Sequence, residues 1–155
     1  MDYSFSALPI TAVETQRLRH VILWPHKSAP EECTIDVDDA NHAHHVGAFD
    51  AAGRHVGVCS LFDQRSERFP DAIPTQDPVY RLRVMGTLPE VRGKGAGAAI
   101  VEYACDWARE QGARWLWCDA REVAFPFYLR MGFEFCSEGY EIDPIGPHRM
   151  MRRKL

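Results

Sequence analysis

The feature that most limits what this chain can fold into is the run Tyr80–Gly112, YRLRVMGTLPEVRGKGAGAAIVEYACDWAREQG. Tyr80, Leu82, Val84 and Gly86 alternate with Arg81, Arg83, Met85 and Thr87, the period of an extended strand. The loop Arg92-Gly93-Lys94-Gly95-Ala96-Gly97 then opens directly into a long apolar helix. A glycine backbone lets a ligand approach closely, because no side chain stands in the way. The first N–H groups of the helix face the same loop, with the positive end of the helix dipole behind them. Arg92 and Lys94 add mobile positive charge. Such a run is an anion cradle, suited to a di- or triphosphate.

A chain of 155 residues is read as one domain, residues 1–155, long enough to bury a core. Its net charge of −4 argues against a general nucleic-acid binder, which would show a basic face. The densest basic run, RMMRRK at 149–154, carries two methionines and reads as a final strand. Cys33, Cys59, Cys105, Cys118 and Cys136 are odd in number, form no CxxC pair and sit in apolar runs, so reduced buried thiols are expected. No stretch approaches the roughly 20 apolar residues of a membrane span, and the N-terminus lacks a signal-peptide pattern. The expectation is a cytoplasmic protein that engages neither membrane nor nucleic acid.

In chain order, a strand is expected at Asp2–Ala7 and a helix over residues 10–24, ended by Pro25. Residues 25–43 read as a polar loop with an acidic cluster at Asp36, Asp38 and Asp39. The apolar runs His45–Phe49 and Val56–Phe62 make a hairpin about Asp50–Arg54, and residues 63–79 form another loop. After the central run come a strand at Arg114–Asp119 and a short helix at Glu122–Arg130, with Pro126 in its first turn. Two final strands, Phe133–Cys136 and Pro147–Arg152, flank a loop at 137–146. This is a mixed α/β domain: a hairpin followed by a strand–helix–strand crossover.

Three readings of the glycine loop compete. A Walker-type loop fails, with Leu88 where its first glycine belongs and Gly95 after the lysine. Gly93, Gly95 and Ala98 satisfy the dinucleotide fingerprint, with Asp119 as its acid, but five residues intervene between strand and first glycine. The third reading fits every position. Arg92-x-x-Gly95-x-Gly97, after a strand and a Pro-Glu turn, resembles the Q/R-x-x-G-x-G/A loop of the GNAT superfamily of N-acyltransferases. Ala124-Phe125-Pro126-Phe127-Tyr128-Leu129-Arg130-Met131-Gly132-Phe133 resembles that family's closing motif, one strand downstream.

The resemblance implies a central mixed, mostly antiparallel sheet with helices on both faces and a V-shaped split between the fourth and fifth strands. It implies acetyl-CoA as co-substrate and no metal. Its pantetheine arm would pair with the backbone of Met85, Gly86 and Thr87, and its pyrophosphate would meet the amides of Arg92, Gly93, Lys94, Gly95, Ala96 and Gly97. Arg121 and Asp119 stand where the family often has asparagine, and Arg121 would reach a cofactor phosphate instead. Tyr128 matches the tyrosine that protonates the departing thiolate; as a purely structural residue it would be a core aromatic with a polar partner. The implied reaction is direct acyl transfer to a primary amine of a small molecule or peptide. The alternatives are a non-catalytic acyl-CoA-binding module and a dinucleotide-binding protein.

No residue is marked as the base. His148, His44 and His45 are candidates, with surface or strand-capping histidines as the plainer reading. A metal held by His42, His44 and His45 lacks further ligands at suitable spacing. Cys118 lies in a core strand and reads as structural. Glu31, Glu32, Asp36, Asp38 and Asp39 would suit a cationic acceptor, or are solvated loop charge. Small proteins of this resemblance often pair, so a homodimer is admissible, although no sequence feature requires it.

Overall fold

The computed structural model describes residues 4–155, so part of the strand expected at Asp2–Ala7 lies outside the described residues; the strand present, β1, is Ser6–Ile10. The other strands are β2 His44–Phe49, β3 His55–Phe62, β4 Val79–Thr87, β5 Trp115–Arg121, β6 Glu134–Ile142 and β7 Gly146–Lys154. The helices are α1 Ala12–Leu18, α2 Ala96–Glu110 and α3 Phe125–Arg130. The sheet runs β1-β2-β3-β4-β5-β7-β6. The β1–β2, β2–β3, β5–β7 and β6–β7 ladders are antiparallel, and the β4–β5 ladder is parallel. No helix among the described residues is long and apolar enough to cross a membrane. The residues fall into two compact units: those up to Phe62 with Leu82–Ala104, and Asp63–Arg81 with Cys105–Leu155.

In the first unit, α1 starts two residues later than the apolar pattern predicts, because Thr11 caps it. The Glu14 amide donates to Thr11 Oγ1 at 3.2 Å and the Thr11 amide to Glu14 Oε1 at 2.9 Å, a reciprocal capping box. The helix does not run regularly to Trp24. Arg19–Leu23 widens into a π turn, closed by the Trp24 amide on the Arg19 carbonyl.

The Arg19 side chain is fully buried, and four of its five N–H donors are used. Nη1 donates to Asp38 Oδ2 at 2.7 Å and to the Cys33 carbonyl at 3.2 Å; Nη2 donates to Asp38 Oδ1 at 2.8 Å and to Ser60 Oγ at 3.0 Å. Buried His45 continues the chain, with Nδ1 2.7 Å from Ser60 Oγ and Nε2 2.9 Å from the Asp38 carbonyl. Because a carbonyl only accepts, Nε2 carries the proton, and Ser60 can donate to Nδ1.

This corrects the acidic-cluster expectation for Asp38 alone. Asp38 is a buried partner of Arg19, while Glu31, Glu32, Asp36 and Asp39 are exposed.

The second unit is built on β5, paired to β7 from Trp115↔Lys154 to Arg121↔His148. Val79–Arg81 of β4 ladder with Trp115–Trp117. Ile73, Val79, Trp117 and Met150 form a buried cluster. The 63–79 loop is tied down: Arg65 donates to the carbonyls of Asp77, Ile73 and Pro74, and Trp117 Nε1 donates to the Gln64 carbonyl at 2.8 Å.

The loop expected at 137–146 is largely strand. β6 continues to Ile142 after a register shift between Phe135 and Gly139, and Ser137 Oγ accepts the Met150 amide at 2.8 Å. Helix α2 ends as its glycine predicts: Gly112 is left-handed at φ 89° and the Ala113 amide reaches back to the Ala108 carbonyl.

Breaking the Arg19–Asp38 pair strands a buried charge, so Asp38→Ala should destabilise the protein by about 3–5 kcal/mol in urea unfolding. The double variant Arg19→Met/Asp38→Leu should lose less than that. Burial pushes the Asp38 carboxyl up, but bonds from Arg19 and the Ile35 amide outweigh it and hold the group below its ordinary value. The stability it contributes is therefore present above pH ~4 and lost as pH falls through the lower folded pKa, which unfolding curves at several pH values will show.

Candidate active site

The first unit gathers most of the residues singled out from the sequence. β4 runs extended until Val84, whose φ of 47° is left-handed. A β-branched residue there is strained by about 1–3 kcal/mol, and one such residue breaks the alternation of peptide groups along a strand. Met85, Gly86 and Thr87 follow. A Cβ at Gly86 would stand 2.6 Å from Ile22 Cγ2, so the π turn packs directly on this backbone and excludes any side chain.

The Leu88 amide then donates to the Val56 carbonyl, and Pro89–Val91 makes a single 3₁₀ turn. Arg92, Gly93, Lys94 and Gly95 are exposed, with φ of 74° at Gly93 and 103° at Gly95. No neighbouring atom lies within 4 Å of a Cβ built on either glycine, so backbone conformation rather than crowding requires glycine there. The Gly95 carbonyl accepts from the Ala99 amide and starts α2, with Ala96 and Gly97 in its first turn. A glycine at the cap offers no side-chain acceptor, which leaves the first helical N–H groups to an outside anion. N–H groups at the start of a helix, beside exposed Arg92 and Lys94, form a surface able to accept an anion.

Tyr128 and Arg121 belong to the second unit. Arg121 is exposed at the end of β5. Tyr128 is buried in α3 against the edges of Phe127 and Phe133, and its hydroxyl hydrogen-bonds the Cys118 thiol. Burial, then the nearby Asp119 charge, push the Cys118 thiol far up, so it is no nucleophile at neutral pH.

Asp119, one residue on, points to the other face of β5. Its Oδ2 accepts from Arg81 Nη2 at 2.7 Å, and its Oδ1 accepts from the Tyr140 hydroxyl. Burial, then the bond to Asp119, raise the Tyr140 phenol well above its ordinary pKa. Arg81 stacks on Trp117 at 4.7 Å, and Arg68 lies 4.4 Å over the Tyr140 ring. A polar cavity of about 510 Å³ is lined by the Gln64–Arg68 loop, Arg81, Trp117 and Asp119.

Arg81, Tyr140 and this cavity escaped the sequence reading. The signal present was the alternation of β4, which sets Arg81 on the face opposite Tyr80.

The candidate histidines are engaged. His44 Nε2 lies 2.9 Å from the Tyr103 hydroxyl, and burial lowers its pKa. His45 serves the Arg19 network. His148 is buried rather than on the surface, donating from Nδ1 to the Gly146 carbonyl at 2.7 Å and stacking on Tyr140. Among the described residues, no group of three His, Cys, Asp or Glu side chains is placed to hold a metal ion.

Residues 11–133 match the model of the acetyltransferase (GNAT) family. Over 146 residues the chain is 32% identical to an uncharacterized N-acetyltransferase, YitI, of Bacillus subtilis (strain 168), covering 94% of this chain and 93% of that protein. A shorter stretch of 52 residues is 47% identical to streptothricin acetyltransferase of Streptomyces lavendulae, covering 32% of this chain and 28% of that one. The fold superposes on the crystal structure of Escherichia coli ElaA with a TM-score of 0.69 at 17% identity, over 97% of this chain and 99% of that one.

Burial pushes the Cys33 thiol up, the Cys59 and Cys118 thiols far up, and the half-buried Cys136 thiol to about 11. At pH 8 the native protein should therefore react slowly with Ellman's reagent, and all five thiols should react at once in denaturant. A fast native equivalent at Cys118 would contradict its assignment as structural.

Proposed function

Because this chain belongs to the GNAT acetyltransferase family, we propose that it transfers an acetyl group from acetyl-CoA directly to a primary amine of a small molecule or peptide. The observation that carries this reading is the loop of Arg92 to Gly97: two left-handed glycines set immediately before the N-terminus of a 15-residue helix, with Arg92 and Lys94 exposed beside them.

The amides of this loop and the first turn of α2 take the diphosphate of the donor. The backbone of Met85, Gly86 and Thr87, released from regular alternation by Val84, takes the pantetheine arm. Arg121 reaches a donor phosphate. The donor supplies an activated thioester; the amine nitrogen bonds to its carbonyl carbon as the carbon–sulfur bond breaks. Tyr128 gives its proton to the thiolate and is restored by the proton that the amine loses. Thioester and amine thus become thiol and amide, with no redox change. The cytoplasm, where acetyl-CoA is available, is the proposed place of action.

Tyr128→Phe should keep acetyl-CoA binding in calorimetry while kcat falls about 10²-fold or more. Unchanged turnover would remove Tyr128 from the reaction, and acetyl-CoA binding without turnover in the wild-type chain would mark a non-catalytic binder. Gly95→Ala forces a Cβ into a left-handed position at φ 103°. It should cost about 1–2 kcal/mol of stability in thermal unfolding and weaken acetyl-CoA binding.

A further inference from the structure

The cavity of the second unit has a charge arrangement that the donor-binding residues do not use. Three arginines border it, yet they differ in what they have left to give. Arg65 is committed to three backbone carbonyls, those of Asp77, Ile73 and Pro74. Arg81 gives Nη2 to Asp119 and Nη1 to Gln64 Oε1, and its remaining nitrogen, Nε, is buried away from the open cavity. Arg68 is exposed, and its guanidinium carbon lies over the Tyr140 ring, 4.4 Å from its centre.

The hydroxyl of that same ring donates to Asp119. One tyrosine therefore joins a cation on its face to an anion at its tip. Each Asp119 oxygen accepts one protein bond and retains a lone pair, so the carboxylate can still receive N–H donors. A guanidinium fork matches a carboxylate with two parallel bonds. Glu67 is also on the cavity wall and, like Arg68, is exposed.

Cys118 faces Tyr128 on one side of the strand, and Asp119 faces the cavity on the other.

We propose that this cavity is the acceptor site and that the acceptor is an amine bearing a neighbouring carboxylate, of the α-amino-acid type. Asp119 receives its N–H groups, Arg68 holds its carboxylate, and its side chain occupies the remaining space between the Gln64–Arg68 loop and Trp117. Tyr140 and Arg81 are positioning residues that hold Arg68 and Asp119 in place. This deepens the acetyl-transfer reading and rests on it.

The test is a CoA-release assay with acetyl-CoA and the standard L-amino acids. The best of them is then compared with its carboxamide and its decarboxylated amine, alongside polyamines and aminoglycosides. The free amino acid should exceed its carboxamide at least tenfold in kcat/KM. Arg68→Ala should collapse that ratio to about one, through a raised KM for the acid, and Arg68→Lys should restore part of it. Asp119→Asn should abolish turnover while calorimetry still registers acetyl-CoA binding, which also shows that the variant is folded. Equal use of acid and carboxamide, or acetylation of polyamines or aminoglycosides in place of amino acids, overturns the proposal. Failure of the wild-type chain to bind acetyl-CoA overturns the donor reading beneath it.

Discussion

A buried guanidinium must be paired, and much of the first unit is arranged to satisfy that requirement. Arg19 emerges from the π turn after α1 and draws Asp38, the Cys33 carbonyl and Ser60 around it. Through His45 the same bonds run on into β2. The polar 25–43 segment, which has no regular structure beyond a 3₁₀ turn, is tied to β2 and β3 by this network, with Cys33 buried beside it. A hydrophobic replacement could be as stable, since desolvating an ion pair offsets much of its attraction.

The π turn that aims Arg19 inward also brings Ile22 onto Gly86. The buried ion pair and the backbone at Gly86 are therefore linked through one irregular turn. Beside it, Val84 holds a conformation that its side chain disfavours, in the strand that leads to the cradle. Strain of this size persists where surrounding structure over-determines it, and it collects at sites whose backbone must be offered to something else.

The second unit solves a similar problem at its surface. Asp119 is flanked by Arg81 and Tyr140, and Tyr140 in turn carries Arg68 and His148 on its ring. Charge, phenol and aromatic stacking lock one carboxylate at the edge of a polar cavity. Cys118 and Tyr128, on the other face of the same strand, are packed into the core. Alternation along β5 is what separates the two environments.

The strand, glycine loop and helix of the central run were legible because their signals are local: period two, glycines before a helix start, and a period-3.6 stripe ending at Gly112. The closing motif around Tyr128 was legible for the same reason, and with the loop it indicated the family. The extension of β6 was hidden, because Ser137 and Gly139 carry turn chemistry that a register shift absorbs into the ladder. Val84 was hidden as well, since valine is a strand former and nothing local announces a left-handed residue. Asp38 looked like one of several surface acids; only the fold brings Arg19, nineteen positions away, against it. The sequence by itself determined most of the elements and the glycine loop before α2, because backbone propensity and capping act over a few residues. The tertiary structure alone decided which charges are buried, which strand is broken and where Asp119 meets Arg81 and Tyr140, because those depend on contacts between residues far apart in the chain.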